Sequence, residues 1–110
     1  MTVEQVRIID AIGIENDTGN VVLTIADHLE WRDDSDEHLL VLQEKLNTYL
    51  AFVESGEIVE SYPNAKGRDV VISVVCKFDP NERAQSFLSK ATAFIRGAGI
   101  ELRHTVFPGT

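Results

Sequence analysis

Residues 69–82, DVVISVVCKFDPNE, hold the two signals on which the fold of this chain turns. Asp69 to Phe78 is the most apolar run in the sequence and is rich in β-branched side chains, which pack well on a pleated surface. Val70, Ile72, Val74, Cys76 and Phe78 alternate onto one face, and Val71, Ser73, Val75 and Lys77 onto the other. The run predicts a central strand with the first set toward the core. Asp79-Pro80-Asn81-Glu82 follows, placing Asp at N-cap, Pro at N1 and Glu at N3, which together specify a helix start.

Downstream, Ala84, Phe87, Leu88, Ala91, Phe94, Ile95 and Ala98 form an apolar helical stripe that Gly97 and Gly99 end, and Ile100 to Phe107 alternates as a last strand. Upstream, Glu57 to Tyr62 predicts a short strand stopped by Pro63, with Asn64 to Gly67 as a turn. Before it, Leu39, Leu42, Leu46, Tyr49, Leu50 and Val53 recur at helical steps, with Gln43, Glu44, Lys45, Asn47 and Thr48 on the opposite side. Asp34 or Ser35 can cap that helix. With Asp34 as cap, Glu37 stands at N3 of a capping box, and Gly56 is a natural stop. Residues 6–14 and 21–26 predict a hairpin around Asn16 to Asn20, with Gly19 free to take positive φ.

The predicted order is ββαββαβ over one domain, residues 1–110. That order suits an α+β fold: a two-layer sandwich of a mainly antiparallel sheet with two helices on one face, its βαββαβ portion matching a ferredoxin-like core. A chain of 110 residues with 44% hydrophobic and 25% charged residues buries a core without metal or disulfide staples. The single cysteine, Cys76, excludes an internal disulfide framework and fits a reducing compartment. No basic leader precedes an apolar run and no segment approaches bilayer length, so a soluble cytoplasmic location is the expectation. A net charge of −8 argues against nucleic-acid binding, which needs clustered Lys and Arg.

Chemistry-bearing residues concentrate in residues 27–38, DHLEWRDDSDEH, with two histidines, six carboxylates and the only tryptophan. Asp27, His28, Glu30, Trp31 and His38 are the candidate binding residues; no catalytic residue, metal site or cofactor is assigned. A divalent ion needs several converging ligands, and the spacing here fits neither a calcium loop nor the i, i+4 histidine pair of a zinc-binding helix. The carboxylates near Asp36 and Glu37 match a helix N-terminus by charge, and His38 is expected as part of that solvated first turn. Cys76 in the most apolar strand is expected to be inert. Asp10 and His104 share parity with apolar neighbours, so Asp10 either takes a partner such as Arg7, Arg68, Arg103 or His104 or is turned outwards by a bulge, and His104 is expected as a satisfied or partly exposed core histidine. Trp31 is expected to fold back over the end of the helix layer.

IDAIGI, TGNVVLTIADHLEW, EHLLVLQEKLNTYLAFVESGEI and YPNAKGRDVVISVVCKFDP resemble a family of small bacterial proteins known only as a domain of unknown function. The resemblance runs from Ile9 to Pro80 and implies a bacterial cytoplasmic origin; it carries no activity or ligand. The expected function is a non-enzymatic protein-binding or self-associating module. Its partner would be a second copy, meeting it at an edge strand or at a sheet face carrying Ile9, Val22, Val71 and Val75, or a protein whose basic surface meets the acidic Asp27–Glu37 stretch, with no membrane contact. The alternative is a small-ligand or divalent-metal-dependent enzyme using His28, His38 and nearby carboxylates.

Overall fold

Strands β1 (Ala11–Ile14), β2 (Val21–Asp27), β3 (Val70–Cys76) and β4 (Glu101–Val106) lie side by side in chain order in a four-stranded sheet. The computed structural model describes residues 9, 11–31 and 36–106. Two long helices, α1 (Asp36–Glu54) and α3 (Glu82–Gly97), and a short one, α2 (Glu57–Ser61), complete the fold with a 3-10 turn at Pro63–Ala65.

The sheet differs from the expected one. Among the described residues only β1 and β2 are antiparallel; β2, β3 and β4 run parallel, with Val21 to Asp27 opposite Val70 to Cys76 in unbroken register. The cause lies in residues 57–61, which form α2 and not a strand. Gly56 at φ 84° turns the chain after α1, and its carbonyl accepts from the amides of Val59 and Glu60, which starts a helical turn. Ile58 alone of this segment is buried, so the period-2 burial that holds a strand in a sheet is missing. With that strand gone, each connection between neighbouring strands after β2 carries helices, as parallel pairing requires. The expected ferredoxin-like core is not formed.

Val21, Leu23 and Ile25 of β2, Ile72, Val74 and Cys76 of β3 and Leu102 of β4 join Leu42, Leu46, Tyr49 and Leu50 of α1 and Leu88 and Ile95 of α3 in one buried cluster. Tyr49 reaches through it to donate its hydroxyl to the Thr24 carbonyl at 2.7 Å. Lys45 belongs here too, not on the polar side. It follows Leu42 by three positions and precedes Tyr49 by four, which puts its stem on the buried stripe, and its Nζ stands 5.7 Å from the Tyr49 ring.

The second sheet face is not the open apolar surface expected. Ile9 packs against the core, Val71 and Ser73 are buried, and Val22 and Val75 are half-buried. Arg103 on β4 donates to Glu15, beyond the end of β1, at 2.8 Å, so this ion pair runs across the width of the sheet. The Arg103 and Thr18 hydrogen bonds hold the Glu15 carboxyl below its ordinary value. Phe78, expected in the core, lies past the end of β3 and is 37% exposed.

The start of α3 is shifted by two residues: the Asn81 side chain, not Asp79, accepts from the Ala84 amide at 2.8 Å. Its end is a Schellman motif around Gly99 at φ 81°, with Ile100 donating to the Ile95 carbonyl and Gly99 to that of Arg96. Asp34, Ser35, Asp10 and Arg7 lie outside the described residues.

Candidate functional site

Two features stand out, one in the stretch of mixed acids and histidines and one on the helical layer. Asp27 is the last residue of β2, with its carbonyl accepting from the Lys77 amide at 2.8 Å, and its side chain continues the inward parity of Leu23 and Ile25. That parity buries a carboxylate, which calls for a partner. His38, in the first turn of α1, supplies it. Its Nε2 lies 2.8 and 2.7 Å from the two Asp27 carboxylate oxygens, and the residue is 6% exposed. His38 Nδ1 stands 3.1 Å from the Glu30 carbonyl, while the Leu29 amide donates to Asp27 Oδ1 at 3.1 Å. Trp31 stacks on the His38 ring, with centroids 3.5 Å apart and planes 13° from parallel.

The expectation of a solvated His38 is thus corrected: it is the buried centre of the group. Three of the five candidate residues, Asp27, Trp31 and His38, come together; Glu30 contributes its backbone carbonyl, and His28 is exposed. Being buried, Asp27 also drops out of the expected acidic docking surface. Trp31 does fold back, packing against the core, and its indole N–H is buried without an acceptor among the described residues.

Chemically this group is closed. Both ring nitrogens of His38 face acceptors, leaving neither to work as a base on a third group. Cys76 pairs in register with Asp27. Burial, reinforced by the Asp27 charge, pushes its thiol up to about 12. The native protein is expected to resist a disulfide-exchange thiol reagent in mildly alkaline buffer and to titrate fully only in denaturant; rapid labelling of the folded chain would contradict this burial. Among the described residues no three His, Cys, Asp or Glu side chains are placed to hold a metal ion. His104, on the edge strand β4, is exposed. Arg68 and Arg103 donate to the Gly19 carbonyl and to Glu15 respectively.

The second feature was not anticipated. Between α1 and α3 runs an apolar groove of about 370 Å³, floored by Leu46, Leu50 and Ile95, walled by Phe87, Ala91 and Phe94, and rimmed by Gln43, Asn47 and Lys90. Phe94, expected in the core, is 74% exposed, and Leu40 is 59% exposed. The stripe on α3 is wider than the sheet can cover: Ala84, Leu88 and Ile95 face the core, while Phe87 and Phe94 sit a step around the helix, above it. That excess width was the available signal. Helices α1 and α3 each cross between neighbouring parallel strands and so run parallel along the groove, with an ion pair between Asp36 and Arg83 joining their N-terminal ends.

No helix among the described residues is long and apolar enough to cross a membrane. No curated protein and no solved structure matches the chain. Residues 1–108 match the profile of a family of unknown function, and the chain belongs to that family, DUF6572.

Proposed function

We propose that the chain is a non-enzymatic bacterial cytoplasmic module that binds protein through the groove between α1 and α3. The observation that carries this reading is Phe94, a large aromatic residue 74% exposed on the wall of an apolar groove. Burying such a ring against a partner is worth about 1.5–3 kcal/mol, and aromatic anchors beside a preformed groove with a polar rim are the usual energetic centre of an interface. The reactive groups support the non-enzymatic half of the reading: His38 is engaged at both nitrogens and the Cys76 thiol is buried beneath the sheet's end.

The test is a photo-crosslinking amino acid placed at position 94 in the native cell, with the same residue at Glu101, on the edge strand, as control. Protein adducts are expected from position 94 above the control. Equal or absent labelling at the two positions would sink the reading.

A further inference from the structure

We propose that the occupant of this groove is a second copy of the same chain, joined in a two-fold pair in which α1 of each protomer lies antiparallel against α3 of the other; this rests on the protein-binding reading above. The first argument is charge. The exposed charged residues of α1 are Asp36, Glu37, Glu44 and Glu54, all acidic, because its one lysine, Lys45, is buried. Helix α3 instead exposes Arg83, Lys90 and Arg96 against Glu82. An acidic and a basic helix side by side and parallel form a surface that complements itself when rotated by half a turn, the condition for an isologous dimer.

The second argument is register. Leu40 and Glu44 stand one turn apart on the outward side of α1, in that order along the chain, and Lys90 and Phe94 stand one turn apart on α3. Asp36 meets Arg83 at the helix starts, which puts Glu44 and Lys90 at nearly the same height; Lys90 and Phe94 line the groove, while Leu40 and Glu44 lie outside its lining on the exposed side of α1, near the middle of the helix pair. A two-fold axis through that middle sets Phe94 against Leu40 of the second copy and Lys90 against its Glu44. Both matches occur in one antiparallel register because the rise per residue is the same in the two helices. The two most exposed large apolar side chains among the described residues are thereby covered by each other, twice per dimer.

The experiment is sedimentation velocity on the full chain, with Phe94→Glu, Lys90→Glu, Glu44→Lys and the double Lys90→Glu/Glu44→Lys variants, each checked for a native circular-dichroism spectrum since all three sites are exposed. The expected results are a concentration-dependent species of twice the monomer mass, at least a tenfold weakening by Phe94→Glu and by either single charge reversal, and recovery in the double reversal. A monomer at all concentrations up to about 1 mM, where even a pair of micromolar affinity is associated, overturns the second-copy proposal. So does a dimer indifferent to Phe94→Glu, or one that the double reversal fails to restore. The crosslink at position 94 separates the two claims. An adduct of twice the monomer mass supports both, an adduct only to other proteins removes the second copy and keeps the protein-binding reading, and no adduct above control removes both.

Discussion

His38→Ala is expected to lower the stability of the fold by about 3–5 kcal/mol, the usual consequence of deleting one partner of a buried ion pair. The carboxylate of Asp27 would stay buried at the end of β2 with only the Leu29 amide, among the described residues, to satisfy it. Trp31 would lose the ring on which it stacks. In a domain of this size the thermal midpoint should fall by roughly 10–30 °C. Because Trp31 is the only tryptophan, its emission reports on this corner directly. The double variant Asp27→Ala/His38→Ala removes the stranded charge as well and is expected to cost clearly less than the sum of the two singles, the mark of coupling. Additive losses, or a His38→Ala loss below about 1 kcal/mol, would show that the pair does not hold the start of α1 to the sheet.

Leu88→Ala is the second large effect. Leu88 is fully buried in the cluster shared by the sheet and both long helices. Truncating it removes apolar contacts and leaves a cavity that rigid strands on one side cannot close, with an expected loss of about 3–5 kcal/mol in denaturant unfolding. Ser89→Ala, at the next position and facing solvent, is expected to stay within about 0.5 kcal/mol. Similar losses at the two positions would contradict the orientation of α3, and with it the placement of Phe94 on the groove.

Much of this architecture was legible in local chemistry. The alternation in residues 69–78 marks β3, the leucine spacing marks α1, and Gly56 and Gly99 close their helices at positive φ. The start of α3 shows how close such legibility comes. Asp79 and Asn81 both carry a capping carbonyl oxygen near Pro80, and only the observed bond to the Ala84 amide chooses Asn81. Residues 57–61 mark the limit. Ile58 and Val59 between glutamates suit a strand or a turn of helix equally, and whether a neighbouring strand edge is open there is not a property of five residues.

The same division holds for the sites. Residues 27–38 were recognisable as unusual because acids, histidines and tryptophan cluster there, but side-chain types do not say which histidine turns inward. His38 does so because α1 begins where the buried Asp27 carboxylate ends β2, a meeting set by how the helix packs across the sheet. Lys45 and Phe94 exchanged their expected places for a related reason. Hydrophobic periodicity assigns a face to a helix, whereas the width of sheet available beneath that face decides which residues at its margins are covered. The strand β3 and the long helices α1 and α3 rest on interactions within a few residues of each other, so composition and spacing suffice to find them, though not for the segment at 57–61. Strand direction, the buried Asp27–His38 pair and the groove between α1 and α3 depend on contacts between distant segments, whose energies exist only once the layers have packed.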